Sequence, residues 1–400
     1  MNEQFVFTKK LKTLSIILTV LGLVGLGASI FIDSHRALAN MLLNSYYLTT
    51  LGLAGVFFVA LQYITESAWP TVFKRVPEAF GYILPVAAVL VLAVIGFGLH
   101  NLYHWSHHEL LVEFLPNGDP NPAYDSIIAG KSGYLNATFF ISRAVVFFGA
   151  WILLSRVLRK LSLKEDQEGG LTSYKKSITY GAIFVAVFAF TFLLAAVDWI
   201  MSLDPHWFST IFHFYNFAGL WVSGIAAITL VVLYLKKQGY LKLVNDSHIH
   251  DLGKLMFAFS IFWAYMWISQ YLLIWYANIP EESIYYYQRI YSEFNTLFFV
   301  NLIINFASPL LILMTRDAKR KRTLLACVAA LIIVGHWLDL YLMIMPGTIG
   351  PEHSGFGLPE ISGMCALVGI FIYMVFTGLT KADLVPKNHP FLDESKHFDI

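Results

Sequence analysis

Long apolar stretches recur along the whole chain and decide what it can fold into. Each is about 20 residues or longer, and at ~1.5 Å of rise per residue a helix of that length crosses the ~30 Å hydrocarbon core of a bilayer. Hydrophobic residues make up 57% of the sequence and charged residues only 13%, a balance that excludes a water-soluble enzyme. The sequence therefore predicts an all-α polytopic membrane protein, with residues 1–400 as a single integral membrane domain.

Ten transmembrane helices are predicted from these stretches. Ten spans place both termini on one side of the membrane. All but four of the 27 Lys and Arg residues fall on that side, so the positive-inside rule predicts that both termini are cytoplasmic and that residues 382–400 form a cytoplasmic tail. The four exceptions are Arg36, Lys131, Arg143 and Arg289. The predicted spans are 11–32, 43–65, 80–100, 134–160, 176–200, 206–236, 253–277, 287–314, 322–345 and 360–381.

A weak internal repeat relates segments four helices apart. Residues 135–141 (LNATFFI) resemble 294–300 (FNTLFFV), and Asp198 and Asp339 each precede a proline by seven residues. A parallel repeat predicts two four-helix bundles, helices 2–5 over residues 43–200 and helices 6–9 over 206–345, flanked by helices 1 and 10. Chance similarity between apolar sequences is the alternative explanation.

Seven ionisable residues lie within or at the ends of predicted spans, where charge is costly and marks functional candidates. Carboxylates and imidazoles can accept a proton from a hydroxyl, and a nearby cation keeps a carboxylate ionised. The set therefore suits a proton path or a quinol head-group site. Structural ion pairs, such as Arg143 with Asp198, are the alternative. The candidates are Arg143, Asp198, His213, Glu293, His336, Asp339 and Glu66.

Sequence motifs for resident cofactors are missing. The two cysteines are too few for an iron–sulfur cluster, no Cys-x-x-Cys-His motif can attach haem c, and no basic surface suits nucleic acid. The sequence thus predicts no cofactor and no metal in this chain. The glycines between Gly22 and Gly27 are predicted to serve helix packing.

Four histidines lie close together at the outer end of the third predicted helix. They resemble one histidine box of membrane di-iron desaturases, without the companion boxes of those enzymes. Haem b ligation by His100 with His213 is a second alternative, and a hydrated interfacial cluster is the favoured interpretation. The four are His100, His104, His107 and His108.

Two longer segments carry a family resemblance. Residues 198–211 (DWIMSLDPHWFSTI) and 262–282 (FWAYMWISQYLLIWYANIPEE), together with ten spans, resemble the smaller of the two NrfD-like membrane subunits of bacterial alternative complex III. The resemblance covers nearly the whole chain. It implies a cofactor-free membrane subunit of a menaquinol:cytochrome c oxidoreductase in the bacterial inner membrane, with a structural or a proton-conducting role.

The same resemblance implies the other components of the assembly. Menaquinol, iron–sulfur clusters and c-type haems are expected in the complex but on other chains. The implied partners are an NrfD-like sister subunit, an iron–sulfur subunit, c-type cytochrome subunits, lipids and a terminal oxidase. The sister subunit is expected to oxidise the quinol, so enzymatic activity belongs to the complex.

Three alternatives remain open at the level of sequence. A structural scaffold would differ from a proton path only in whether the buried ionisable groups line water. Quinol oxidation within this chain would need an electron acceptor close to its outer face. A stand-alone secondary transporter would favour helices broken near the bilayer midplane, whereas Pro85 and Pro309 lie about one turn inside the predicted cytoplasmic ends.

Overall fold

The computed structural model describes residues 3–351 and 354–399, and this part of the chain is helical, without a β-strand. Ten of its helices are long and apolar enough to cross a membrane, which confirms the predicted number of spans. They are α1 (Lys9–Ile32), α2 (Ser34–Ile64), α3 (Arg75–Leu102), α4 (Ala137–Glu168), α5 (Thr172–Trp199), α6 (Phe212–Lys237), α7 (Asp246–Ala277), α8 (Asn295–Ile312), α9 (Arg322–Thr348) and α10 (Leu358–Leu379).

Several helix ends differ from the apolar boundaries because polar side chains extend or stop the helices. Helix α2 begins at Ser34 rather than at residue 43, since the Asp33 side chain caps it and its residues from Ala37 to Asn40 are buried. Helix α7 begins at Asp246 because Asn245 and His248 form a capping box. Helix α8 begins at Asn295, after a separate short helix, Pro280–Ile290, that the apolar pattern merged with it.

Helix α2 is central to the packing. It contacts α3, α5, α6, α9 and α10, and α4 packs between α3 and α5. Helix α6 packs against α7 and α9, while α8 contacts α7 and α9. Helix α1 lies mainly along α10. Residues 380–399 lie at one end of the molecule, the tail end, and residues 103–136 connect α3 to α4 at the opposite end, the loop end.

Glycines let α1 and α10 approach closely, as the sequence predicts. A Cβ placed on Gly22 would lie 2.3 Å from the Ala366 backbone nitrogen, and one on Gly25 would lie 2.1 Å from Ser362 Oγ. Real Cβ atoms do not come this near to other heavy atoms, so the two backbones meet only because these positions lack side chains. Gly27, on the same helix, has no neighbour within 4 Å of such a Cβ.

We expect Gly22→Ala to destabilise the protein by about 1–3 kcal/mol, because the new methyl group forces α1 away from the α10 backbone. The midpoint of unfolding in mild detergent measures this effect. Gly27→Ala is the matched control, since it makes the same change on the same helix in open space, and it should leave the midpoint within error or raise it slightly. Equal effects of the two substitutions would contradict the packing role of Gly22.

The tail segment, residues 382–399, packs across the helix ends rather than extending away from them. The Leu384 amide donates to the Glu3 carbonyl at 2.8 Å, and Ser395 Oγ donates to the Trp69 carbonyl at 2.8 Å. His389 is buried, with Nε2 3.8 Å from Glu165 Oε1 and its ring near Tyr63 and Tyr174. Of the predicted tail 382–400, only Ile400 lies outside the described residues.

Docking of the tail segment is expected to weaken as the pH falls below about 6.5. Burial, reinforced by the Lys74 ammonium, lowers the pKa of His389 from its ordinary value near 6.5 to about 2. The undocked imidazole therefore binds a proton between those values and the docked one does not, which costs about 2 kcal/mol of docking free energy at pH 5. Hydrogen exchange of amides 384–398 at pH 7.5 and pH 5 measures this. His389→Gln should remove the pH dependence, and an unchanged pH dependence in that variant would contradict the assignment.

Candidate functional site

A hydrogen-bond network surrounds Asp339 near the middle of α9. Its carboxylate accepts from Tyr215 Oη and from Asn301 Nδ2, the latter at 2.8 Å, and from Trp263 Nε1 at 3.0 Å. These donors come from α6, α8 and α7, so four helices meet at one carboxylate, which is 2% exposed. Asn305 Nδ2 extends the network by donating to Asn301 Oδ1 at 2.6 Å.

Asp339 differs from the other buried carboxylates in having no cationic partner among the described lysines and arginines. Five carboxylates are buried in residues 3–351 and 354–399. Four pair with Arg or Lys, which offsets the cost of burying their charge. The pairs are Glu78 with Arg75 at 2.7 Å, Glu165 with Lys74 at 3.5 Å, Asp198 with Arg143 at 2.6 Å and Glu360 with Arg36 at 2.8 Å. The carboxylate of Asp339 is held by neutral donors instead.

His336 is the imidazole beside Asp339. It lies one turn away on α9, with Nδ1 3.8 Å from Asp339 Oδ2, and its ring meets the Trp263 ring edge to face. The side chain is 2% exposed, and neither ring nitrogen has a hydrogen-bond partner. A water or a small ring rotation would join the two groups, which makes them a pair able to share one proton.

Two local features make room for these polar side chains. Residues Ile303–Ala307 form a π-helical turn within α8, and Asn305 lies on this turn. A Cβ on Gly335 would lie 2.2 Å from Asn305 Oδ1, so only glycine admits this amide against α9. π-Helical turns are rare and occur frequently at functional sites.

A small cavity of about 10 Å³ lies on the loop-end side of Asp339, between α7, α8, α9 and the helix Pro280–Ile290. Gln270 lines it, is 1% exposed and has no hydrogen-bond partner for either amide atom. Arg289 also lines it. The volume corresponds to roughly one water position, and the unpaired amide supplies polar partners for that water.

Arg289 is a buried cation held by carbonyl oxygens. Its Nε donates to the Leu342 carbonyl at 2.8 Å and its Nη2 to the Met343 carbonyl at 3.1 Å. Pro346 has no N–H to complete the helical hydrogen bond to Leu342, so the guanidinium takes that place. Burial lowers the pKa of Arg289, while the Tyr285 ring, 3.3 Å from Cζ, and Asp204 favour its charge.

A second cavity of about 10 Å³ lies on the opposite side of the pair, where α2 meets α6 and α9. Tyr46, Tyr47, Thr50 and Asn216 line it together with His336. The Asp339–His336 pair thus lies between two small cavities with polar walls. Carboxylate, imidazole, phenol and enclosed water are groups that can hold and pass protons.

The structure brings four of the seven candidate residues into two pairs. Arg143 Nε donates to Asp198 Oδ2 at 2.6 Å and its Nη2 to Oδ1 at 3.1 Å, a bidentate arrangement. The guanidinium also lies 3.9 Å from the centre of the Tyr134 ring. Both charges are buried and satisfied, as expected of a structural ion pair. His336 and Asp339 form the second pair.

The other three candidates lie apart from both pairs. Glu293 is exposed and accepts from the Ser354 amide at 3.2 Å. Glu66 is exposed, with φ of 48° in the turn after α2. His213 is half-buried beside Phe214 in the first turn of α6.

The histidine cluster at the loop end is held by local bonds. His100 Nδ1 lies 2.9 Å from Ser106 Oγ, and His107 Nε2 lies 2.9 Å from the His100 carbonyl oxygen. Among the described residues, no group of three or more His, Cys, Asp or Glu side chains is placed to hold a metal ion.

Sequence reasoning missed the neutral members of the Asp339 network. Tyr215, Trp263, Asn301 and Asn305 are ordinary residues in apolar helices, and a search for charged groups passes over them. The spacing of Asn301 and Asn305 was the available signal, because amides four residues apart share one helix face. Reasoning also missed the ion pairs at the tail end, although Arg75 and Glu78 have the three-residue spacing of a helical ion pair.

No model of a known protein family matches the chain, and no curated protein matches it in sequence.

Proposed function

We propose that this chain is the cofactor-free, proton-conducting membrane subunit of a menaquinol:cytochrome c oxidoreductase, with Asp339 and His336 as its proton-holding pair. The observation that carries the proton-conducting role is the buried Asp339 carboxylate, which lacks a Lys or Arg partner among the described residues and lies beside two cavities. A buried charge without such a partner is costly and is kept where protons move.

In this proposal a proton reaches Asp339 through the cavity lined by Gln270 and passes to His336 Nδ1 across the 3.8 Å gap. Tyr215 and Asn301 fix the carboxylate so that Oδ2 faces the imidazole. Proton transfer from His336 to Asp339 is equally available, because the geometry of the pair does not fix the direction of proton movement.

Membership of the oxidoreductase complex rests on the resemblance of residues 198–211 and 262–282. The contacts of α2 with α3 and α5, of α4 with α5, and of α6 with α7 and α9 are compatible with the two-bundle arrangement of that family, and α2 joins the two groups by packing against α6 and α9. Iron–sulfur clusters and c-type haems belong to partner chains in this proposal, and quinol oxidation belongs to the sister subunit. The excess of Lys and Arg at the tail end supports a cytoplasmic location for that end.

Purification of the tagged chain from its native membrane in mild detergent tests the assembly. We expect c-type haem absorbance, an iron–sulfur protein and a second ten-helix subunit to accompany the chain. A colourless chain that purifies alone would contradict membership of the complex.

A secondary transporter is the second candidate, and the π-helical turn Ile303–Ala307 favours it. This turn interrupts α8 near its middle, beside the buried amides Asn301 and Asn305. Transporters place broken helices and polar groups at this depth. Uptake assays in liposomes with the chain alone distinguish the two functions, because the oxidoreductase subunit should transport no solute without its partners.

A further inference from the structure

A groove opens at the tail end between α3, α4 and α10, away from the Asp339 network. Its volume is about 610 Å³, which is large enough for a lipid headgroup and the start of an acyl chain. Helix α3 is interrupted beside it, between Phe80 and Leu84. We call it the basic groove, because four cations of α4 line it: Arg156, Arg159, Lys160 and Lys164.

Two of these cations are free to bind a ligand. Arg156 and Lys160 are exposed and, among the described residues, have no ion-pair partner. Lys164 pairs with Glu168 at 3.2 Å, an exposed contact that contributes little. The groove therefore has a positive potential that its own side chains leave unneutralised.

Arg159 forms the buried floor of the groove. It is 9% exposed, and its Nη1 donates to Glu78 Oε2. Its buried Nε has no hydrogen-bond partner, although guanidinium groups seldom leave a buried donor unused. Glu78 is occupied by Arg75 as well, so it cannot serve as a base for a quinol hydroxyl. An anion bound in the groove would give the Arg159 Nε the hydrogen-bond acceptor that it lacks.

The groove also lies at the depth of lipid phosphates. From Ala137 to Glu168, α4 is ~48 Å long, well beyond the ~30 Å hydrocarbon core. Its cations follow the apolar run that ends at Leu154, which places them at one edge of the core. Pro85, Leu163 and Met374 give the groove an apolar wall beside the cations.

We propose that the basic groove binds an anionic phospholipid, with the phosphate among Arg156, Arg159 and Lys160 and an acyl chain along the apolar wall. A free phosphate anion would use the same cations, but it would leave the apolar wall exposed. This site is independent of the proposed proton path, so either proposal can fail without the other.

Lipid retention by the full-length chain tests the proposal. The purified protein is delipidated in detergent, exposed to phosphatidylglycerol or phosphatidylcholine, and analysed by native mass spectrometry. We expect selective retention of phosphatidylglycerol, and roughly thirtyfold weaker retention by Arg156→Gln/Lys160→Gln, which corresponds to about 2 kcal/mol at ~1.4 kcal/mol per tenfold. Lys175→Gln/Lys176→Gln is the matched control, since it removes two exposed cations of α5 at the same end, outside the groove.

Each other outcome overturns the proposal. Equal loss of retention in both double variants would mean that only the general charge of the tail end attracts lipid. Displacement of the lipid by an equal concentration of inorganic phosphate would assign the site to the free anion. If the double variant does not fold, the single variants Arg156→Gln and Lys160→Gln replace it, and retention unchanged in both would equally overturn the site.

Discussion

Asp339→Asn is expected to lower proton translocation by at least about a hundredfold while the protein stays folded. Asparagine has nearly the same shape but cannot take up a proton, and loss of a positioned acid or base typically costs ~10²–10⁴ in rate. The complex, purified and reconstituted in liposomes, would be given quinol, with proton movement followed by an enclosed pH-sensitive dye. Quinol oxidation itself is expected to continue when the membrane is made proton-permeable, because the proposed function assigns the quinol site to another chain.

Glu293→Gln provides the matched control for this prediction. It makes the same chemical change at an exposed carboxylate that Ser354 holds, and it should leave translocation unchanged. Asp339→Asn must also stay folded, with an unfolding free energy lowered by about 1–3 kcal/mol, since an amide oxygen that keeps the bonds from Tyr215 and Asn301 leaves Trp263 without its acceptor. Normal translocation by a folded Asp339→Asn protein would exclude Asp339 from the proton path.

The number of membrane-spanning helices could be predicted from sequence because hydrophobicity and length alone decide which helices can span a bilayer. The positions of the helix ends could not be predicted, because they depend on capping side chains and on burial by other helices. Helix α2 gains nine residues at its start since Glu360, far along the chain, accepts hydrogen bonds from Arg36 at 2.8 Å and Asn40 at 2.8 Å. The hydrophobicity pattern of residues 34–42 does not reveal a hydrogen-bond partner that lies more than 300 residues away in the sequence.

The candidate site was predictable in part, for a related reason. Buried Asp, His and Arg stand out in an apolar sequence, so Arg143, Asp198, His336 and Asp339 could be selected. Their pairing depends on tertiary contacts between helices. Sequence treats Asp198 and Asp339 as equivalent, whereas the structure gives one carboxylate an arginine and the other three neutral donors. On that difference rests our proposal of a structural role for Asp198 and a proton-holding role for Asp339.

Breaking the Arg143–Asp198 pair is expected to destabilise the protein by about 3–5 kcal/mol, because either single substitution leaves an uncompensated buried charge. Arg143→Gln leaves the Asp198 carboxylate, which is 0% exposed, without its cation. Asp198→Asn leaves the guanidinium without its counter-charge, facing an amide oxygen, the Tyr134 carbonyl at 3.1 Å and the neighbouring aromatic rings. Denaturant titrations in detergent would give the loss of unfolding free energy for each variant.

The double variant Arg143→Gln/Asp198→Asn completes the cycle. It removes both charges, so it should recover much of the loss and lie within about 2 kcal/mol of the unsubstituted protein. The remaining loss reflects the contacts of the guanidinium with the Tyr134 and Phe139 rings. Folded protein of the double variant should translocate protons normally, in contrast to Asp339→Asn. Additive losses in the cycle would show that the two charges do not stabilise each other, and lost translocation would place this pair on the proton path as well.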